Sequence, residues 1–408
     1  MQALPALRSR NFRLYFAGQL ISLVGTWMQQ IAMVWLAYRL TNSTTMLGLV
    51  GFANQIPILL FSGIAGVWND RIDRRRLLLW TQALSMLQAL TLFTLTLTHA
   101  VTPGILVVLA FLLGCINAVD LPGRQAFVAQ LVHDKADLPN AIGLSSLLMN
   151  ASRFIGPTLA GLVVASFGEA ACFLINALSY FGVLLALAAI RVSPRTVKKQ
   201  HALAALRAGV SHAFSTPRIR LPLVMVAGFS FLVTPYAVMM PVFARDIFQG
   251  NAQTYGSLIG SAGIGSLCAA LFLSLRSGLG KAQGLDWLVA LATGGGGVML
   301  ACFALVPTVT WAYPLLVLLG FTTILTVAGS NTLIQTVVAD DFRGRVMALF
   351  STAFLGIAPL GSLTVGWLAT LIGIRQTLAL CGLLALTLGI YYLRQLTKQQ
   401  GRGESPRP

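Results

Sequence analysis

Asp120 and Arg124 stand four residues apart inside an otherwise apolar stretch, and Arg153 lies within the next such stretch. At that spacing a carboxylate and a guanidinium share one helix face. An ion pair in hydrocarbon is costly and marks function by default. Of the eleven Asp and Glu, only Asp120 falls inside an apolar segment. Two roles fit it. In one, Asp120 is the proton-responsive acid, exchanging a proton for a salt bridge to Arg153 or Arg124. In the other, the pair is a fixed brace between two helices.

Polar residues form a second set. Gln19, Ser22, Thr26 and Gln30 recur at i, i+3, i+7 and i+11, one stripe along one helix. Amides facing lipid would stay unpaired, so the stripe must face a central cavity or another helix. Trp27, Asn54, Gln55, Asn150, Asn331 and Gln335 join it as candidates for lining a substrate cavity, with Tyr236, Met239 and Met240 as adaptable apolar surface. Few charges occur among them. That suits a bulky, neutral or amphipathic substrate.

A third set runs from Asn69 to Arg76, where two acids and four arginines separate two apolar segments. This is a tight hairpin whose cations hold it on one side of a bilayer. Enzyme chemistry has no footing. The five cysteines sit in apolar segments at spacings unlike a metal site, the four histidines form no ligand motif, and no phosphate-binding glycine loop is present.

These residues need helices in a membrane to position them. The chain of 408 residues is 56% hydrophobic and 10% charged, with mean hydropathy +0.80, far from a soluble domain, in which about a quarter of residues are charged. The apolar segments lack the alternation of barrel strands. Spans are expected at 12–38, 46–68, 77–98, 103–128, 140–165, 170–190, 219–243, 254–275, 285–306, 309–337, 346–372 and 376–393. The first is too long for a cleavable signal peptide and lacks a small-residue cleavage site. The net charge of +17 invites a nucleic-acid reading. Placed on these spans, however, the 28 Lys and Arg all fall on one side, except Arg39, Arg245 and Arg375 opposite and Arg153 within a span. That asymmetry is the positive-inside rule, which explains the charge without nucleic acid and sets both termini in the cytoplasm.

The polar connection between the sixth and seventh spans divides the protein. The expected organisation is an N-terminal six-helix bundle (1–190), a cytoplasmic linker (191–218), a C-terminal six-helix bundle (219–396) and a cytoplasmic tail (397–408). In the linker, Leu203, Leu206, Val210 and Phe214 recur at helical spacing near Lys198, Lys199 and Arg207. That pattern fits a short helix on the anionic leaflet; a flexible linker is the alternative. The halves repeat: Gly114 to Asp134 aligns without gaps to Gly320 to Asp340, and Thr45 to Gly48 echoes Thr254 to Gly256. Two parallel six-helix repeats with a site at midplane form a transporter architecture.

The motifs also carry a family resemblance. Gly66, Asp70, Arg71, Arg74 and Arg75 resemble the loop motif of the major facilitator superfamily, and Asn150 to Gly161, with Gly156 and Pro157, its antiporter motif. Ser9 to Arg13, Gly25 to Gln30, Asn117 to Gln125 and Asp137 to Ala141 are similar to the exporter branch that includes the enterobactin exporter and macrolide efflux proteins (drug:H+ antiporter-3). The resemblance implies an all-α polytopic protein with 12 transmembrane helices in two pseudo-symmetric bundles, in a bacterial inner membrane. It implies a secondary transporter driven by the proton gradient, without cofactor or metal, exporting a siderophore or hydrophobic drug by alternating access. Its partners would be substrate, protons and membrane lipid, and it would work as a monomer.

By the same resemblance, the loop motif latches the cytoplasmic face. Asp70 would meet the start of span eleven near Arg345, and Arg74 and Arg75 would reach acids of neighbouring loops. Asp73 stands where the family favours glycine and is expected to tolerate a left-handed turn. Gly156, Pro157 and Gly161 are expected to bend span five and admit a neighbouring helix closely. The counterpart loop (Arg276, Gly278, Gly280, Lys281) matches only faintly. A lipid or lysophospholipid translocator is the runner-up, and a transporter-derived sensor or scaffold is a different class.

Overall fold

The computed structural model describes residues 5–132, 134–190, 213–278, 284–338 and 340–401. The helices are α1 (Arg10–Thr41), α2 (Thr44–Arg71), α3 (Arg74–Leu97), α4 (Pro103–Leu131), α5 (Leu138–Ala189), α6 (Pro217–Leu232), α7 (Tyr236–Val242), α8 (Ala252–Gly278), α9 (Leu285–Leu305), α10 (Val309–Val337), α11 (Asp340–Ser351), α12 (Ala358–Ile372) and α13 (Ile374–Gly401). Wide π turns, Phe243–Ile247 and Thr352–Gly356, extend α7 and lead from α11 towards α12.

Among the described residues, eleven helical segments are long and apolar enough to cross a membrane. One of them, α5, has 52 residues, about 78 Å at 1.5 Å per residue, against roughly 30 Å of hydrocarbon. It crosses twice. Its turning point is Gly168, with φ 79° and ψ 173°, a conformation open essentially to glycine alone. Twelve crossings result, as the hydropathy pattern predicts. The linker residues 198–210 lie outside the described residues, as do Gly280 and Lys281.

Contacts group the described residues into two units, one within Met1–Lys199 and Phe243–Gly260, the other within Gln200–Val242 and Ser261–Pro408. In the first, α1 packs mainly on α5 and α2 on α4; in the second, α9 packs on α13 and α10. The repeat is visible in how helices touch. A methyl on Gly114 of α4 would overlap the Asn54 carbonyl of α2, and one on Gly320 of α10 would overlap the Ala262 carbonyl of α8. The two glycines are 206 residues apart and the two carbonyls 208. Both halves thus set the second span against the fourth with glycine at the matching place.

Close approach also accounts for two glycines of the Asn150–Gly161 segment. A methyl on Gly156 would overlap the Trp27 side chain of α1, and one on Gly161 would lie 2.8 Å from the Ala252 carbonyl and 3.0 Å from Gly256 of α8. Pro157 does not interrupt the helical backbone; the non-helical residue inside α5 is Gly168.

Candidate functional site

Asp120 is only 1% exposed, enclosed within the first unit. The structure selects Arg124 as its partner: Arg124 Nε pairs with Asp120 Oδ2 one turn along α4. The other carboxylate oxygen accepts from Thr81 Oγ1 at 2.6 Å and Gln82 Nε2 at 2.9 Å, both on α3. Arg124 also donates to Gln19 Oε1 of α1 at 2.9 Å. One ion pair therefore joins three helices. Arg153, the alternative partner, instead places its guanidinium over the Trp27 indole, 5.5 Å from the ring centroid, within cation–π range.

The polar stripe of α1 faces helices of its own unit. Gln19 and Ser22 are buried, and Thr26 Oγ1 bonds the Ser22 carbonyl at 2.8 Å and meets the Tyr180 hydroxyl at 3.3 Å. Gln30 is half-buried, as are Trp27, Asn54, Gln55 and Asn150. In the other unit Asn331 and Gln335 bond each other on α10, and Tyr236, Met239 and Met240 are buried. These residues do not converge on one described set of contacts.

Next to the stripe lies a network that sequence reading missed. Gln29 Nε2 donates to Gln88 Oε1 at 2.8 Å, Gln88 Nε2 to the Leu109 carbonyl at 3.2 Å, and Asn176 Nδ2 to Gln29 Oε1 at 2.9 Å. It links α1, α3, α4 and the second limb of α5. A signal was available: Thr81, Ser85 and Gln88 recur at i, i+4 and i+7, a polar stripe on α3 whose last member, Gln88, reaches Gln29 of α1.

At the basic end, the loop motif works differently from the acid pairing expected of it. Arg75 donates from Nε and Nη2 to the Leu187 and Ala188 carbonyls, both at 2.7 Å, and Arg74 to the Ala126 carbonyl at 3.4 Å. The Leu187 and Ala188 carbonyls are in the last turn of α5, where acceptors lack intrahelical partners and the helix dipole favours cations, and Ala126 is in the C-terminal part of α4. Asp73 has φ −57° and ψ 121°, so no left-handed turn occurs; it caps α3 by accepting from Arg76 N at 2.9 Å. The side chains of Asp70 and Arg71 and the surroundings of Gly66 lie outside the described set.

The opposite end holds a clasp within the first unit. Tyr38 at the end of α1 donates its hydroxyl to Asp246, and Arg245 donates to Asn42 Oδ1 at 2.8 Å while lying over the Tyr38 ring. Arg39 grips Glu169 with two nitrogens, at 2.7 and 3.3 Å, directly after the Gly168 turn. Arg375 donates to the Leu305 carbonyl at 3.3 Å. Thus Arg39, Arg245 and Arg375 each have an acceptor. Among the described residues, no group of three or more His, Cys, Asp or Glu is arranged to hold a metal.

Comparisons with known proteins agree with this architecture. The family described as transmembrane secretion effector matches residues 1–406. A staphyloferrin A transporter of Staphylococcus aureus (strain NCTC 8325 / PS 47) is 27% identical over 393 residues, covering 94% of this chain and 96% of that protein. The multidrug efflux pump Tap of Mycolicibacterium fortuitum is 24% identical over 370 residues, covering 88% and 89%. The crystal structure of a POT family transporter in complex with a thioalcohol-conjugated peptide superposes with a TM-score of 0.78 at 13% identity, covering 97% of this chain and 99% of that one; this likeness is one of fold. The chain belongs to the transmembrane secretion effector family of the major facilitator superfamily, and is a multi-pass secondary transporter of small molecules.

Proposed function

We propose that this transporter is a proton-coupled exporter of a siderophore or of a hydrophobic or amphipathic drug, in the drug:H+ antiporter-3 branch. It works by alternating access in a bacterial inner membrane with both termini cytoplasmic. The observation that carries the reading is the enclosed Asp120–Arg124 pair, with its ties to α3 and α1. A proton on Asp120 neutralises the carboxylate and weakens its hold on Arg124. The guanidinium then keeps only its bond to Gln19. Proton binding is thereby converted into a change in how α4 is held against α1 and α3. The names of the relatives, one for staphyloferrin A and one for multidrug efflux, support the cargo class.

The test compares cells with and without the protein for accumulation of a fluorescent drug and secretion of a catecholate siderophore, each before and after collapse of the proton gradient. Export of either cargo that stops with the gradient is the expected result. Export that continues unchanged in its absence overturns proton coupling. Unchanged levels of both cargoes overturn the cargo class, and labelled lysophospholipid becomes the next substrate.

A further inference from the structure

An apolar groove of about 480 Å³ runs along the seam between α3 and α4. We propose that it is a binding site for an anionic phospholipid, with an acyl chain in the groove and the phosphate on Arg76. The placement follows from helical spacing. Arg76, Trp80, Leu84 and Leu87 recur at i, i+4, i+8 and i+11, so they share one face of α3. Trp80, Leu84 and Leu87 line the groove from α3, and Ile116 lines it from α4. The groove is open to the surroundings: Trp80 is 70% exposed and Leu87 60%. In a transmembrane bundle such a face meets lipid tails, and an exposed tryptophan at the end of a span belongs at the headgroup level.

Charge selects the headgroup. Arg74 and Arg75 are engaged by helix carbonyls. Arg76 is exposed, and among the described residues none accepts from its guanidinium. Side chains on a helix lean towards its N-terminus, which carries the Arg76 guanidinium from the groove towards the interface, where a phosphate would lie. Asp73, three residues before it, is engaged in capping α3. A zwitterionic lipid offers the same tails with a cation beside its phosphate, so the preference is for net negative charge. The groove also borders the ion-pair site, because Thr81 lines it and donates to Asp120. A seated chain keeps water from that wall.

The experiment uses the full chain in phosphatidylcholine nanodiscs with increasing phosphatidylglycerol brominated on its chains. Quenching of Trp80 is read as the difference between wild type and Trp80→Phe. Saturation at a low mole fraction is expected, with at least a fivefold higher fraction needed in Arg76→Gln and in Ile116→Phe, while Arg76→Lys stays near wild type. Size-exclusion profiles establish that each variant is folded. Equal quenching by brominated phosphatidylcholine reveals ordinary surrounding lipid and overturns the site. A preference that survives Ile116→Phe overturns the seated chain, and one that survives Arg76→Gln overturns the phosphate contact. Displacement of the quencher by a fluorescent drug at low occupancy assigns the groove to cargo and overturns the lipid reading.

Discussion

At the scale of residues, Asp120 and Arg124 set a choice between coupling and bracing that two variants decide. Asp120→Asn leaves Arg124 enclosed without its counter-charge, and breaking one side of a buried pair costs about 3–5 kcal/mol. A clear drop in thermal stability is expected. Adding Arg124→Gln removes both charges, and because neutral replacements of buried pairs are often tolerated, stability should return near wild type. If Asp120 couples protons, the double variant in proteoliposomes retains downhill substrate exchange but loses accumulation driven by a pH gradient. Restored gradient-driven transport in the double variant would show a fixed brace. The sequence made Asp120 conspicuous, because a lone acid in a span stands out, but left two arginines as partners. Only the packing of α5 against α1, which stations Arg153 over Trp27, separates them. The partners of Arg74 and Arg75 were illegible for another reason: every residue carries a carbonyl, so the acceptors have no signature in residue type.

Helix boundaries were largely legible, since about twenty apolar residues between polar interruptions is a physical requirement for crossing hydrocarbon. The expected break between 165 and 170 brackets the turn at Gly168. What makes that turn was not legible, because Gly161, Gly168 and Gly182 look alike in sequence. In the structure a methyl on Gly168 or Gly182 would meet nothing within 4 Å, so space distinguishes neither; backbone conformation does. Gly168→Ala places a side chain at φ 79° and should cost about 1–3 kcal/mol. Gly182→Ala, inside the helical second limb, should be neutral or stabilise by up to about 1 kcal/mol. Thermal unfolding of the purified proteins compares them, and equal midpoints would rule out a strained hinge at Gly168. The hinge also sets Glu169 against Arg39, so Gly168→Ala should lower stability further than the backbone term alone if that ion pair is displaced.

Over the whole molecule, the repeat is the feature that sequence and structure share most directly, in the matching pairs Gly114 with Asn54 and Gly320 with Ala262. The clasp departs from that symmetry. By chain order Arg245 and Asp246 belong to the second repeat, yet their segment, Phe243–Gly260, groups with the first. If the proposed alternating-access cycle moves the second repeat as one body with Arg245 and Asp246, opening at this end releases Tyr38 from Asp246 and Arg245 from Asn42. Hydrogen bonds to charged groups contribute about 1.5–3 kcal/mol, so losing one should shift such an equilibrium by roughly tenfold or more. Tyr38→Phe and Asp246→Asn should each increase labelling of a cysteine placed at Gln30, in a background without native cysteines, by a membrane-impermeant maleimide applied from the clasp side. Arg375→Gln is the control, because it removes a cation without touching the clasp; its acceptor is the Leu305 carbonyl. Labelling that rises equally in all three variants would reflect general loosening of the protein. Labelling unchanged in Tyr38→Phe and Asp246→Asn would mean that the clasp does not limit opening, and that the barrier lies in close packing such as that of Gly161 against Ala252 and Gly256.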